Sequence, residues 1–241
     1  YMQGEAPEWV RTYDGGVSDD QNWCVAVDSD GYIYVAGYSV QSHADVLSSD
    51  WVTMKYDSHG NTVWRTLYSG PANGGEQAFA IVVDPVRKNV YVTGGSMREA
   101  PRPPNYYFDM TTIMYDEHGT EKWVQRYSGP FNGINRGTSL ALDADGNVYV
   151  TGWSQGENQS LDYATIMYDV GGNEMWVARY DGPAGSNDQP APPVGGPLGI
   201  AFSNYVSNNQ GIIVTTEVLD SGPALEYLIG IVSGLNVNHG T

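Results

Sequence analysis

The amino-acid sequence predicts an all-β fold assembled from a repeated unit of short strands. Thirty glycines, thirteen prolines and eighteen tyrosines are typical of a chain with many turns and half-buried strands, because Gly and Pro set turn geometry and Tyr combines an apolar ring with a polar tip. A tryptophan also recurs at spacings of 55, 59 and 53 residues, as Trp9, Trp64, Trp123 and Trp176. Each begins a phrase that ends four residues later in a tyrosine: Tyr13, Tyr68, Tyr127 or Tyr180. We interpret these aromatic residues as the structural anchors of a repeat.

Each of the first three units contains four short β-type runs separated by turn residues. The first run ends in an aspartate: Asp28, Asp84 or Asp143. The second run ends in a glycine: Gly37, Gly94 or Gly152. The missing side chain there predicts a bulge or a close approach of the neighbouring backbone. The third run ends in Tyr-Asp, eight residues before the next repeat tryptophan and with a glycine between them, which predicts a hairpin. Four antiparallel strands in each unit predict the blade of a β-propeller.

The whole chain, residues 1–241, is expected to form a single propeller domain. Its units lie approximately at 14–68, 69–127, 128–180 and 181–241. The fourth unit is degenerate: 211–216 and 225–232 serve as its second and third strands, and no tryptophan follows. Because the chain begins with an orphan strand at 8–13, we expect this strand to complete the last blade and close a ring of about four blades. Two alternatives stay open, a half-ring that pairs with another chain and a fragment of a longer propeller.

One phrase of the third unit resembles a known family. Asp143-Ala-Asp-Gly-Asn-Val-Tyr-Val-Thr-Gly152, followed by Tyr168-Asp169 and Trp176, is similar to the SBBP β-propeller repeat, and the resemblance covers about residues 6 to 185. It implies a propeller of a secreted or surface protein of bacteria or archaea, with an extracellular, cell-surface or periplasmic location. The family has no general catalytic activity, so the resemblance implies no active-site residues.

Charge restricts the partners that this chain is expected to bind. Twenty-eight acidic residues against eleven basic ones give a formal net charge of −17. Nucleic acid and anionic membrane surfaces are disfavoured because both require clustered Lys and Arg. No apolar run reaches the length of a membrane helix, so membrane insertion is not expected. The acidity is interpreted as a solvated, self-repelling surface, with calcium or a cationic partner as the alternatives. Cys24 is the only cysteine, which excludes an intramolecular disulfide.

Two short acidic motifs are candidate calcium ligands. Asp28 and Asp30, like Asp143 and Asp145, stand two residues apart before a glycine, as carboxylates do in calcium loops. The glutamate expected near the twelfth position of such a loop is missing, and the same residue types are strong turn formers. We therefore interpret both motifs as turns. No cofactor is expected, and calcium is kept as the alternative.

The connections between second and third strands are the best candidates for ligand binding, since loops on a rigid scaffold carry specificity. They are predicted at about 39–50, 96–109 and 154–162. The second contains prolines beside four candidate ligand-binding residues: Arg102, Tyr106, Tyr107 and Phe108. Such a loop is suited to stacking on a sugar ring or docking in a protein groove. The alternative is that Tyr107 and Phe108 begin the next strand.

The sequence contains no catalytic motif. A site in the central channel would need acids or histidines at the starts of the first strands, which are predicted to read Trp23, Phe79 and Thr138. We therefore expect a non-enzymatic extracytoplasmic module that binds a protein or a polysaccharide, either as a homo-oligomer or as a subunit of a larger assembly. An accessory propeller of an enzyme complex and a calcium-binding surface protein are the alternatives.

Overall fold

The computed structural model describes residues 9–15, 18–43, 46–98, 107–181, 212–216 and 227–231. These ranges contain fourteen β-strands and one 3-10 helix (Glu157–Gln159). The strands are β1 (Asp20–Val27), β2 (Ile33–His43), β3 (Val46–Tyr56), β4 (Thr62–Tyr68), β5 (Glu76–Val83), β6 (Val90–Met97), β7 (Phe108–Tyr115), β8 (Glu121–Tyr127), β9 (Asn135–Leu142), β10 (Val148–Gln155), β11 (Leu161–Tyr168), β12 (Glu174–Tyr180), β13 (Ile212–Thr216) and β14 (Tyr227–Ile231). In the described part of the chain, no helix has the length and apolar character needed to cross a bilayer.

The first twelve strands form three four-stranded antiparallel sheets, each with its strands in sequence order. We call them blade 1 (β1–β4), blade 2 (β5–β8) and blade 3 (β9–β12). The predicted four-stranded blades are thereby confirmed. β13 and β14 pair antiparallel as a hairpin, as predicted for the second and third strands of the fourth unit. The division into one domain with four units stays a prediction.

Packing between blades explains which strands are buried. β1 contacts β5 and β5 contacts β9, so the first strands of successive blades are neighbours. Every residue of β6 and of β7 is buried, because blade 2 is covered by blade 1 on one face and by blade 3 on the other. The outer strands β4, β8 and β12 are half-exposed. The core therefore consists of layers between blades, and each layer is filled mainly by Tyr, Trp, Met and β-branched side chains.

The repeat tryptophans link each blade to the next. Trp64 donates its indole N–H to the Glu117 carbonyl at 3.0 Å, and Trp123 donates to the Val170 carbonyl at 3.2 Å. Both acceptors lie in the turn between the third and fourth strands of the following blade. A glycine at φ +80° (Gly119) or +83° (Gly172) leaves room for the ring in each turn. The ring centroids of Trp176 and Tyr149 lie 6.0 Å apart within blade 3.

The N-terminal segment occupies the position of an outer strand from a preceding blade. Trp9 donates its indole N–H to the Ser58 carbonyl at 2.9 Å, and its ring lies over Gly60 in the equivalent turn of blade 1. Tyr13 contacts the apolar cluster on the same face of that blade. The predicted strand at 8–13 is nevertheless not formed in residues 9–13. A β-strand needs a hydrogen-bonded neighbour, and no described strand pairs with this segment.

The face of blade 1 beneath this segment is only partly covered. Val25 and Val27 of β1 are 64% and 63% exposed. The equivalent residues of the next two blades, Ile81 and Leu140, pack against the blade before them. Blade 1 thus exposes an apolar surface at positions that are packed between blades in the rest of the repeat. Closure of the ring at this surface by a fourth blade stays a prediction.

The predicted bulge is confirmed in each blade, but it lies in the first strand, and the facing glycine lies within the second strand and not at its end. The pairing of β5 with β6 skips Phe79, and a Cβ atom on the facing Gly94 would lie 2.0 Å from the Gln77 carbonyl oxygen. The same skip occurs at Trp23 and at Thr138 in the other blades. Only glycine fits against a backbone this close.

We predict that Gly94→Ala lowers the free energy of unfolding by roughly 1–3 kcal/mol, because the added methyl group must push two strands apart. Gly75→Ala is the matched control, since the nearest atoms to its added Cβ lie at 3.8 Å. Urea denaturation of both variants measures the effect. Equal destabilisation of the two would contradict the close approach described for Gly94.

We predict that Trp9→Ala destabilises the protein by about 2 kcal/mol, because it removes an indole hydrogen bond and the packing of the ring on blade 1. Val10→Ala is the control, because Val10 is exposed beside it. Thermal unfolding compares the two variants. An unchanged melting temperature for Trp9→Ala would show that the N-terminal segment does not stabilise blade 1.

Candidate functional site

The blades present two chemically different ends. The tight turns within each blade, between first and second strands and between third and fourth strands, lie at one end, which we call the turn end. The connections between second and third strands, and those between successive blades, lie at the other, which we call the loop end. The candidate calcium ligands belong to the turn end, and the candidate ligand-binding loop belongs to the loop end.

At the turn end, the carboxylates of Asp28 and Asp143 hold their own turns. One oxygen of Asp28 accepts the backbone N–H groups of Asp30 and Tyr32 at 2.9 and 3.0 Å, and the other accepts the Tyr34 hydroxyl at 3.0 Å. Asp143 makes the equivalent contacts in blade 3, including one with the backbone N–H of Asp145 at 3.0 Å. These hydrogen bonds favour the turn interpretation of both motifs.

No other metal ligands gather around these carboxylates. Across the part of the chain that the structure describes, no three His, Cys, Asp or Glu side chains converge as a metal site would require. Asp30 is engaged by Lys88, whose Nζ lies 2.6 Å from its carboxylate. Calcium binding at these positions therefore stays an untested alternative.

The same aspartate turn recurs between the third and fourth strands. Asp57, Asp116 and Asp169 each accept a backbone N–H from the residue four positions further on. A hydrogen bond from Lys122, aided by the backbone N–H bonds, lowers the pKa of Asp116 to about 2. Hydrogen bonds to the carboxylate also lower the pKa of Asp57 and of Asp169, so these turn aspartates contribute to the net charge of −17.

At the loop end, arginines from the outer strands β8 and β12 join neighbouring blades. Arg179 forms an ion pair with Asp162 at 2.8 Å, contacts the Ser154 hydroxyl, and donates to the Tyr127 hydroxyl of blade 2 at 3.1 Å. Arg126 makes the corresponding bond to Tyr68 of blade 1 at 3.0 Å. The sequence interpretation recognised the tyrosines and missed the arginines. The repeat phrase contained the signal, because an arginine directly precedes the tyrosine in both units.

The first strands begin three residues earlier than predicted. They start at Asp20, Glu76 and Asn135, whereas Trp23, Phe79 and Thr138 are the bulged residues. The bulge misled the prediction, because its extra residue breaks the alternation by which a strand start is recognised. Two of the three true starts therefore carry carboxylates, contrary to the expectation from sequence.

Glu76 is the most perturbed of these carboxylates. Its side chain is fully buried (0% exposed), and its Oε1 accepts the Ser96 hydroxyl at 3.3 Å, whereas Oε2 makes no hydrogen bond of normal geometry within the described ranges. Desolvation and, secondarily, the nearby Asp50 raise the pKa of Glu76 to about 7. Asn135, at the equivalent position, donates its amide to three backbone carbonyls. The Glu76 carboxyl can donate a hydrogen bond, as the Asn135 amide does, only when it carries a proton.

The candidate ligand-binding residues have different positions in the structure. Phe108 begins β7 and is buried, with the Arg136 guanidinium 4.6 Å above its ring. Tyr107 directly precedes it and is half-buried. This placement agrees with the alternative that these two residues begin the next strand. Arg102 and Tyr106 lie outside the described residues.

The predicted loop at 39–50 is wrong. β2 and β3 pair continuously from Ser39 with Asp50 to His43 with Val46, so a hairpin replaces the loop. Its β-branched and small polar residues can continue the ladder, and no proline interrupts it.

An apolar patch lies at the loop end beside the candidate loop. We define it by Phe131 and Ile134, which are 51% and 36% exposed. Arg98 fixes its surroundings, because its guanidinium bonds Asp109 through Nε at 2.8 Å and Asn132 through Nη1 at 3.2 Å. The patch therefore lies on a hydrogen-bonded base that joins blades 2 and 3.

These features define the chain as a β-propeller repeat protein. The family model SBBP, described as a beta-propeller repeat, matches residues 122–158, which run from β8 through β10 to the 3-10 helix of blade 3. This segment is similar to an SBBP repeat, and phrases like its own recur in blades 1 and 2. No curated protein matched the chain with significant similarity.

We predict that Glu76→Gln stabilises the protein above pH 7 by up to roughly 3 kcal/mol. The Glu76 pKa rises from its ordinary value of 4.5 in the unfolded chain to about 7 in the folded one, so stability falls as pH rises from about 4.5 to 7 and stays low above it. Gln supplies a neutral donor at every pH. Urea denaturation at pH 5 and pH 8 measures the difference between variant and parent.

Glu157→Gln is the control for this prediction, because Glu157 is exposed on the 3-10 helix. It should leave the pH dependence unchanged. A stability difference between Glu76→Gln and the parent that is the same at both pH values would contradict a proton on Glu76.

Proposed function

We propose that this chain is a non-enzymatic, extracytoplasmic interaction module that binds a protein partner through the apolar patch at its loop end. The observation that carries the proposal is the exposure of Phe131 and Ile134 on a base held by Arg98. A contiguous exposed apolar patch marks an interaction site, whereas apolar side chains exposed singly are normal on a protein surface. The extracytoplasmic location is supported by the resemblance to SBBP repeats.

The base of the patch is rigid, which favours binding. Asn135 bonds the carbonyls of Phe108, Ser128 and Gly133, so the connection between blades 2 and 3 is held at several points. Arg98 adds a bond to the Ser128 carbonyl at 3.4 Å. A preorganised surface loses little conformational entropy when it binds, so more of the contact energy appears as affinity.

The composition of the patch favours a protein over a polysaccharide. Phe131 can stack on either kind of ligand, but the branched aliphatic side chain of Ile134 offers no flat face for a sugar ring. An aromatic and an aliphatic side chain together match an apolar pocket on a protein. The net charge of −17 favours a pocket with a basic rim, because opposite charge accelerates and orients association.

Several charged groups at the loop end have structural roles, as expected for a non-enzymatic module. Arg126, Arg179 and Asp162 join neighbouring strands and blades, and Asp109 is paired with Arg98. Residues engaged in this way position the scaffold. If the propeller is an accessory subunit of an enzyme complex, its catalytic partner would bind the same patch. The experiment below would identify such a partner.

We predict that the double variant Phe131→Ala/Ile134→Ala weakens partner binding at least tenfold, because each truncated anchor removes about 1 kcal/mol or more. The partner is captured from the extracellular fraction of the source organism, purified, and titrated against parent and variant by calorimetry. Size-exclusion chromatography with mass measurement gives the composition of the complex and shows whether the partner is an enzyme.

Met175→Ala is the matched control, because Met175 is exposed on the outer strand β12 and lies away from the patch. It should bind as the parent does. Equal affinity of the double variant and the parent, or retention of a polysaccharide with no protein, would refute the proposed protein site.

A further inference from the structure

A polar cavity of ≈ 250 Å³ lies between blades 1 and 2 at the turn end. Its lining includes Tyr32 and Lys55 from blade 1 and Lys88 and Glu117 from blade 2, together with the turn residue Asp30. It is separate from the apolar patch, which lies at the opposite end of the blades. Two of the three lysines of this acidic chain thus meet in one cavity.

Lys55 is buried in the wall of the cavity and is only 7% exposed. Its ammonium lies 4.1 Å from the centroid of the Tyr32 ring and 5.1 Å from that of the Tyr34 ring. Within the described residues its one hydrogen bond is a long contact of 3.5 Å to the Glu117 carbonyl. Among the ion pairs of the described residues, none includes Lys55. An ammonium has three donors, so this group retains hydrogen-bonding capacity toward the cavity.

The packing of the blades does not require a lysine at this position. Methionine occupies the equivalent position in the next two blades, as Met114 and Met167, opposite the same tyrosine and tryptophan of the repeat. A buried charge carries a desolvation penalty that methionine avoids. Lys55 is therefore a departure from the repeat for which packing offers no reason.

Lys88 is a second departure that points to the same cavity. It has a φ of +60°, at the turn position where blades 1 and 3 have Gly31 and Gly146. A non-glycine residue in this region of backbone space is mildly strained. Its ammonium reaches across to Asp30 at 2.6 Å, so this lysine is neutralised where Lys55 is not.

The lining defines the chemistry of a ligand. The unpaired ammonium of Lys55 favours a carboxylate, since charge-assisted hydrogen bonds to a buried cation are strong. The carboxylates of Asp30 and Glu117 accept hydroxyl groups, and the ring of Tyr32 offers an apolar edge to the C–H face of a sugar. The volume lies below the roughly 300–1,000 Å³ typical of sites for drug-sized ligands, so the cavity suits a single ring.

We propose that this cavity binds a hexuronate, an acidic sugar unit, with Lys55 holding the sugar carboxylate and the neighbouring acids holding its hydroxyls. Charges further than about 8 Å from the cavity are screened at physiological ionic strength. Of the carboxylates in the lining, that of Asp30 is offset by Lys88, whereas those of Asp28 and Glu117 oppose an anion and must be outweighed by Lys55. The site does not depend on the protein partner proposed for the loop end.

The test is a titration of the full chain with sodium glucuronate, followed by saturation-transfer NMR and calorimetry. We expect saturable binding with a dissociation constant on the order of 1 mM. Lys55→Met, which restores the residue of the other blades, should weaken binding at least tenfold and fold normally. Lys122→Met is the matched control, because Lys122 lies outside the cavity lining and is exposed, and it should bind as the parent does.

Four results would overturn the proposal. Equal affinity of Lys55→Met and the parent would show that Lys55 does not contact the ligand. Equal binding of glucose would remove the need for a carboxylate, and equal binding of acetate would reduce the cavity to a simple anion site. Absence of glucuronate binding at roughly a hundred times the expected dissociation constant would leave Lys55 as a structural cation between blades.

Discussion

The hydrogen bond from a tryptophan of one blade to a turn of the next is the contact on which the other inter-blade contacts depend. It joins Trp64 to Glu117 and Trp123 to Val170, and it sets the distance between successive blades. At that distance each indole lies between a tyrosine of its own blade and one of the next. For Trp123 these are Tyr91 at 5.9 Å and Tyr168 at 6.0 Å. In a repeat protein, stability is largely a sum of such nearest-neighbour interfaces.

The features that recur in every blade could be predicted from the sequence, because the same residue types appear at equivalent positions of each unit. The glycines and aspartates of the turns between third and fourth strands recur at constant offsets from the tryptophan, and the bulge opposite the second-strand glycine recurs within one residue of the same offset. Comparing copies therefore separates a structural requirement from an accident. Arg126 and Arg179 were within reach of the same comparison and were missed, because blade 1 has Leu67 at that position and so lacks the third copy.

The features that could not be predicted from the sequence arise where two blades pack against each other. The raised pKa of Glu76 results from its burial and from the charge of Asp50, which is 26 positions earlier in the chain. The cavity around Lys55 exists only where the first and second blades face each other. The predicted starts of the first strands were wrong for a local reason, because a bulge shifts the alternation of side chains by one residue. The periodicity of the sequence predicts the fold of each blade. Which side chains meet between two blades depends on the particular pair of blades and could not be predicted from the repeat.

The departures from the repeat are concentrated at the junction of blades 1 and 2. Lys55 and Lys88 replace the methionine and the glycine that serve the junction of blades 2 and 3. Lys55 introduces a buried charge and Lys88 a strained backbone position where the other copy is neutral and relaxed. Because the neutral version folds one blade further along the same chain, the fold itself does not require these residues. A property of this junction other than stability therefore accounts for them, and the binding of a polar ligand between the blades is a property that uses both charges and space.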